Sequence, residues 1–258
     1  MVKGWAAIVA VIALAGLTVA VRGGGEERRP LLGDADGPRL STTAPQARPA
    51  VPSLKLASRR ATLPRGVRLV EQESDWRPVR DAIAGRLALP SGRIVSDGFP
   101  NGQSEPLDYD VPPGRYPVYV TLARPEHKNF DGVALATLVV SHTQPVRWRR
   151  IGGIGVDGGV AAFTSVEGAR ALDRLVTAGS SDDYYERAFD SLTAHGNYAT
   201  NVAIEGRLNQ VMFSTGGGDG GYPLLAGFDA HGRPVRFVLD FLLIYLDWPG
   251  RPAPGARE

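Results

Sequence analysis

Hydrophobic positions fall into three regimes along the chain. From residue 4 to residue 21 the sequence runs GWAAIVAVIALAGLTVAV, uncharged between Lys3 and Arg22. Rising about 1.5 Å per residue, such a helix would be about 27 Å long, close to a hydrocarbon core of about 30 Å. Only Thr18 is polar in this run, so there is no wet face of the kind a soluble core helix carries, and residues 1–22 are predicted to hold one transmembrane helix. Residues 23–64 then lose all periodicity. Gly23, Gly24, Gly25 and Pro30, Pro38, Pro45, Pro49, Pro52 and Pro64, with few aliphatics, predict a flexible Pro/Gly/Arg-rich linker. Apolar residues recur at regular spacings from 65 to 248, which predicts a single globular domain followed by a disordered tail, 249–258.

Within the domain, Trp76, Val79, Ile83 and Leu87 recur at spacings of three and four behind Ser74 and Asp75, which predicts an opening helix with Pro78 in its first turn. Residues 86–89, the turn Pro90-Ser91-Gly92 and residues 93–96 read as a hairpin. Residues 116–123 alternate Val118, Val120 and Leu122 against Tyr119, Thr121 and Ala123, the signature of a half-buried strand. Residues 133–140 are apolar on both faces, as in a central strand. Trp148 alternates with Arg147 and Arg149, which places the tryptophan inward and the arginines outward, and residues 160–163 read as more strand. Ser165 caps one helix through Leu172, Leu175 and Val176, and Asp182 or Asp183 caps another through Tyr185, Phe189 and Leu192. Strands return at 210–215, 224–228 and 235–248, the last two joined through Ala230-His231-Gly232. The predicted class is α+β, a largely antiparallel β-sheet domain with two or three short helices, preceded by one N-terminal transmembrane helix.

Charge removes several function classes. The net charge of +2 and the pI of 9.0 invite a polyanion partner, but residues 1–64 hold 9 basic and 4 acidic residues. The totals of 29 and 27 then leave 20 basic against 23 acidic for residues 65–258, a net of −3 without a basic footprint, which argues against nucleic acid. The chain contains no cysteine, so disulfides, zinc–thiolate sites, iron–sulfur clusters and cysteine nucleophiles are excluded, as is a lipoprotein anchor. Three lysines against 26 arginines, with 32 glycines, fit a GC-rich bacterial source. The apolar segment reads as a retained anchor or as a signal segment ending at Thr18-Val19-Ala20; the missing polar c-region favours the anchor. Arg22, Arg28, Arg29 and Arg39 behind the segment would by the positive-inside rule hold the domain in the cytoplasm. The Pro/Ala/Thr-rich spacer points instead to an extracytoplasmic domain on a single-pass anchor, which is the expectation adopted.

Motifs of catalysis are scarce. Gly153-Ile154-Gly155-Val156-Asp157-Gly158 fits the dinucleotide pattern G-x-G-x-x-G, but Gly216, Gly218 and Gly221 fit it equally and neither site sits between a strand and a helix; no nucleotide partner is predicted. Asp34-Ala35-Asp36-Gly37 lacks the glycine and glutamate of a calcium loop, since Arg39 and Pro45 occupy those positions. His127, His142, His195 and His231 show no metal-ligand spacing, G-x-S-x-G is absent, and no cofactor or metal is predicted. The carboxylates carry more. Asp240 interrupts the apolar run 237–243 and must be paired, hydrogen-bonded or at an edge, while Asp157 and Asp219 sit in glycine-rich stretches. Gathered together, the three could bind a hard cation or perform acid–base chemistry; apart, they serve their own turns, with Asp240 paired to an arginine such as Arg115.

The same residues carry a family resemblance. Leu89-Pro90-Ser91-Gly92-Arg93-Ile94-Val95, Val111-Pro112-Pro113-Gly114-Arg115-Tyr116-Pro117-Val118, Val146-Arg147-Trp148 and Gly155-Val156-Asp157-Gly158-Gly159 occur in order. They precede the signature Phe213-Ser214-Thr215-Gly216-Gly217-Gly218-Asp219-Gly220-Gly221-Tyr222-Pro223, with Gly227-Phe228-Asp229 and Asp240-Phe241 after it. From about 89 to 248 the chain resembles the bacterial domain-of-unknown-function 4241 family, departing from it at Thr215 and Gly216, and at Gly217, which replaces an aromatic. The resemblance implies a fold and a motif cluster focused on Asp157, Asp219, Tyr222 and Asp240, and it brings no activity. The expected function is therefore a membrane-tethered binding or interaction domain, held to the membrane through residues 4–21, with a protein or glycan partner recognised by the glycine loops and Tyr222. Arg115 is the cationic candidate beside them. Two alternatives stand: a carboxylate-based hydrolase, with or without a divalent cation, and an immunity protein against a bacterial toxin.

Overall fold

The computed structural model describes residues 59–60, 68–69, 75–99, 105–194, 198–244 and 246–247, all within one compact unit spanning 54–258. The expected membrane segment, most of the linker and the tail lie outside the described residues, and among the described residues no helix is long and apolar enough to cross a membrane.

The strands, in chain order, are β1 (Arg59–Arg60), β2 (Arg68–Leu69), β3 (Trp76–Leu89), β4 (Ile94–Gly98), β5 (Gly114–Pro125), β6 (Gly132–Val139), β7 (Arg147–Val156) and β8 (Val160–Ser165). Helices α1 (Val166–Thr177) and α2 (Asp182–Thr193) follow, then β9 (Ala199–Ala203), β10 (Asn209–Ser214), β11 (Gly220–Phe228), β12 (Pro234–Asp240) and β13 (Leu246–Asp247). They build a seven-stranded sheet ordered β1-β3-β5-β6-β12-β11-β7, a four-stranded sheet ordered β4-β8-β10-β9, and a two-stranded pair β13-β2. Every pairing is antiparallel. The result is a β-rich domain of two principal antiparallel sheets and two helices, the lower of the expected helix numbers.

The two large sheets face one another. Alternate residues of one sheet (Leu87, Val118, Val120, Leu138, Leu224, Phe237, Leu239) meet Ile94, Phe163, Val211 and Phe213 of the other, all sealed from solvent. Burying each such side chain contributes roughly 1.5–3 kcal/mol, so this layer dominates stability. The helices cover the outer face of the small sheet, where Tyr184, Ala188 and Leu192 pack on Val160, Ala162 and Met212. Ile244 and Leu246 cover part of the large sheet's outer face with Trp148, Leu225 and Val238. Trp148 is buried as expected, but on the outer face beneath Ile244 and Leu246 and not between the two large sheets, while Val118, Val120 and Leu122 take the core side of β5.

Four expectations are corrected. Trp76–Leu89 is a 14-residue strand and not a helix. It carries register shifts at Pro78/Arg80 and Ile83/Gly85, so its core-facing set steps from Ala82 and Ala84 to Leu87 and Leu89 with a gap of three that imitates a helical period. The pattern at 86–96 is not a hairpin: β4 pairs with β8 in the other sheet, and the turn at Gly92 (φ +79°) carries the chain across the sandwich. The long run 235–248 is broken after Asp240, and β9 went unread because its exposed Asn201 and Ala203 interrupt a short edge strand. Two residues of the stretch read as linker, Arg59–Arg60, pair as β1 with β3.

Both helices begin near their expected caps. Ser165 Oγ accepts the Gly168 amide at 2.9 Å, whereas α2 starts after Ser181 with Asp182 and Asp183 in its first turn, where carboxylates favour the helix dipole. The turn at 229–233 joins β11 and β12 in a hairpin as expected, with Gly232 at φ +76°.

Candidate functional site

Two chain crossings between the sheets stack at one end of the sandwich. Residues 157–159 lead from β7 into β8, and residues 215–219 lead from β10 back into β11. Crossing between layers needs backbone that β-strands cannot supply, and Gly158 (φ +98°) and Gly218 (φ +79°) adopt left-handed conformations that an L side chain disfavours. The glycine repeats are therefore sheet-to-sheet corners, and the first of them lies largely within β7 itself.

Asp219 ties the crossings together. Its Oδ1 accepts the Gly158 amide at 2.6 Å and the Gly159 amide at 2.8 Å, while the Thr215 amide donates to the Gly159 carbonyl at 2.8 Å. This carboxylate serves the other loop's turn, about sixty residues away in sequence, and not its own. Within the second loop Thr215 Oγ1 and the Tyr222 hydroxyl both donate to the Gly218 carbonyl, at 2.5 and 2.8 Å. Burial foremost holds the Tyr222 hydroxyl above its ordinary pKa, opposed by the Thr215 hydrogen bond and assisted by the Asp219 charge, so the hydroxyl remains a donor at neutral pH.

The aromatic ring of Tyr222 stands edge-on to Phe241, centroids 5.1 Å apart. An added Cβ at Gly217 would lie 2.7 Å from the Tyr222 hydroxyl and 3.2 Å from the Phe241 carbonyl, so those two residues occupy the space a side chain would enter. At Gly216 the added atom would lie 2.5 Å from the Val133 carbonyl, whose oxygen also accepts the Gly216 amide. Phe241 in turn donates its amide to Ala134.

Asp240 is fully buried at the end of β12 and its Oδ1 accepts the Leu242 amide at 2.9 Å. Leu242 has φ +60°, a conformation uncommon for leucine, and the carboxylate acts as the turn acceptor that holds it. Asp157, Asp219, Tyr222 and Asp240 thus share one end of the molecule, with Phe241 between Tyr222 and Asp240. Asp157 alone of these projects into solvent without a hydrogen-bond partner among the described residues. No group of three or more His, Asp or Glu capable of holding a metal ion occurs among the described residues.

Arg115 is elsewhere. Asp240 is level with Leu135 and Leu135 with Thr121, so Arg115 lies six residues (121 − 115) farther along β5, about 20 Å away at 3.3 Å per residue. That separation rules out the expected Asp240–Arg115 pair. Arg115 is exposed, and its carbonyl accepts the Arg86 guanidinium.

The other end of the sandwich holds a cluster that the sequence signalled only in part. Arg147 and Arg149 are exposed as expected, but they leave β7 on the inter-sheet side, with their guanidinium carbons 5.5 and 5.6 Å from the Phe228 ring centre, and Arg149 also lies 5.8 Å from that of Tyr109 and donates to its hydroxyl. Tyr109 packs edge-on to Phe228 at 5.5 Å. The alternation of arginines was visible; their aromatic partners, from a loop 40 residues upstream and a strand 80 residues downstream, were not.

Comparison with known proteins adds a family. No curated protein and no solved structure matches the chain. A family model described as a protein of unknown function, DUF4241, matches residues 87–239, from the last three residues of β3 to the penultimate residue of β12. That stretch contains the inter-sheet core apart from Ala82 and Ala84 of β3 and Phe241 after β12, together with both crossings. The chain therefore belongs to the DUF4241 family.

Proposed function

We propose that this domain is a binding module rather than a catalyst, carried on a membrane by residues 4–21 and displayed outside the cytoplasm to a protein or glycan partner. One observation carries the reading. The polar groups that looked most like chemistry are spent on the backbone: Asp219 on two amides, Asp240 on the Leu242 amide and Tyr222 on the Gly218 carbonyl. A hydrolase of the carboxylate type needs two such groups facing one substrate, and here two of the three are committed to holding loops rigid. Rigid loops are what recognition requires, because little conformational entropy is lost on binding. The apolar run at 4–21 and the spacer behind it support the tether and the side.

A benzophenone side chain at position 157 of the full-length chain, in its native membrane, is expected to give a discrete crosslinked species that position 173 on exposed α1 does not. A hydrolytic activity abolished by Asp157→Asn at an unchanged melting temperature would overturn the reading. Because the chain lacks cysteine, a single cysteine introduced at Gly152 reports the side of the membrane. Labelling of intact cells by an impermeant maleimide is expected, and labelling only after lysis would place the domain inside.

A further inference from the structure

Arg147 and Arg149 form a charged pair that the fold does not use for ion pairing. They stand opposite Phe228 and Ala226 of β11, two residues and about 7 Å apart on one face of β7, and both are exposed. Neither has an ion pair with a carboxylate among the described residues. The carboxylates beside their aromatic partners are turned to other work. Asp229, next to Phe228, accepts the His231 and Arg233 amides and the Arg233 guanidinium, and Asp110, next to Tyr109, pairs with Arg93 at 3.8 Å. Asp108, on the other side of Tyr109, is exposed and makes no ion pair with either arginine. Residues 65–258 hold 20 basic and 23 acidic groups, so the pair does not go uncompensated for want of acids.

The surface beneath the pair is fixed. Tyr109 belongs to the connection between β4 and β5, whose Leu107 and Val111 amides donate to the Ile94 and Gly92 carbonyls at 2.9 and 3.1 Å. Its ring packs against Phe228 and Phe237, with centroids 5.5 and 6.4 Å apart. Both guanidinium groups lie against the Phe228 ring, so they are positioned together before any ligand arrives. Stacking occupies guanidinium faces and leaves N–H edges. A guanidinium carries five donors, and among the described residues Arg149 uses its own only on the Tyr109 hydroxyl, while Arg147 donates to nothing.

The donors select the anion. A carboxylate has two oxygens, which one guanidinium fork fills, whereas a phosphate monoester presents three terminal oxygens and nearly two negative charges at neutral pH, enough for two forks. We propose that Arg147 and Arg149 together bind the phosphate monoester group of a glycan, each donating to it while remaining stacked on Phe228. The bound dianion also offsets the repulsion between two neighbouring cations. This rests on the binding-module reading and names the chemistry of the partner. A glycan is chosen over a phosphoprotein because the domain is read as displayed outside the cytoplasm, where the ATP that phosphorylates proteins is lacking.

The probe is glucose-6-phosphate, titrated into the full-length chain in mild detergent, with affinity read by phosphorus NMR line width and the site by the NMR shifts of arginine Nε–H groups. Saturable shifts at Arg147 and Arg149 are expected, reversed by inorganic phosphate, absent with glucose and reached at least tenfold less readily with glucuronate. The double variant Arg147→Gln, Arg149→Gln is expected to bind at least tenfold more weakly at an unchanged melting temperature. Arg147→Lys, Arg149→Lys keeps the charge without the forks and is expected to bind at least threefold more weakly. Equal binding by the lysine variant would overturn two-fork recognition, and equal binding by the glutamine variant, or shifts confined to other arginines, would overturn the assigned surface. Glucuronate bound as tightly as the phosphate ester rules out selection for phosphate, and a phosphoserine peptide bound tenfold more tightly than the sugar ester rules out the glycan. No binding of any phosphate ester, with the crosslink at position 157 retained, sinks this inference and leaves the binding module standing. Loss of that crosslink as well sinks both.

Discussion

The two ends of the sandwich use polar residues in opposite ways. At the crossing end, Asp219, Tyr222, Thr215 and Asp240 turn inward on backbone groups and join loops from both sheets. At the β7 edge, Arg147 and Arg149 lean on aromatic rings and keep their charge in water. The glycines divide the same way: Gly216 and Gly217 are crowded by Val133, Leu243, Tyr222 and Phe241, while Gly152 borders open space. The conspicuous motif of this chain is thus a structural corner. Of its carboxylates, exposed Asp157 alone is left to meet another molecule.

Substitutions at matched glycines press hardest on that contrast. Gly216→Ala forces a methyl against the Val133 backbone and is expected to cost about 3 kcal/mol in chemical denaturation. Gly152→Ala is expected to stay within about 0.5 kcal/mol of the parent. Equal costs at the two sites would erase the distinction between corner and edge. Asp240→Ala strands the Leu242 amide at a left-handed residue and is expected to cost about 2 kcal/mol, seen as a lower melting temperature without change in m-value. Tyr222→Phe removes one hydrogen bond to Gly218 while keeping the ring against Phe241, for a loss of about 1 kcal/mol.

The smallest effect concerns Asp229 in the β11–β12 turn. The Arg233 amide foremost, then against desolvation the His231 amide and the Arg233 guanidinium, hold its carboxyl below the ordinary value of 3.8. A folded pKa below the unfolded one means that the contribution to stability is complete above the ordinary value. It is lost as pH falls from there through the folded value. An NMR titration of the Asp229 carboxyl carbon is expected to show a midpoint below 3.8; a midpoint at or above it would free this carboxylate to neutralise the neighbouring arginines.

Much of the domain was legible because it depends on local repetition. Alternation at 116–123, the continuous apolar run at 133–140 and the Ser165 cap follow from period and side-chain chemistry, which neighbours in sequence express by themselves. β3 was misread for the same reason. Two bulges replaced its period of two with gaps of three, and a bulge is imposed by the partner strand, here β5, 40 residues away. Asp219 illustrates the limit at the site. Its glycine surroundings marked a turn acceptor, but the amides that it accepts belong to the crossing at 157–159, which reaches it only when the two sheets close on each other.

The residues alone determined that the domain is rich in antiparallel strands, that its family motifs cluster in glycine corners, and that Trp148 and its neighbouring arginines face opposite ways. Tertiary structure decided which strands share a sheet, that the hairpin expected at 86–96 crosses between layers, and that Arg115 stands about 20 Å from Asp240. It also decided that Asp219 and Asp240 are committed to backbone amides while Asp157 faces solvent. The reason is common to all of these. Side-chain period is set by backbone geometry one residue at a time, whereas pairing, burial and hydrogen-bond partnership arise only when segments distant in sequence are brought together around a shared core.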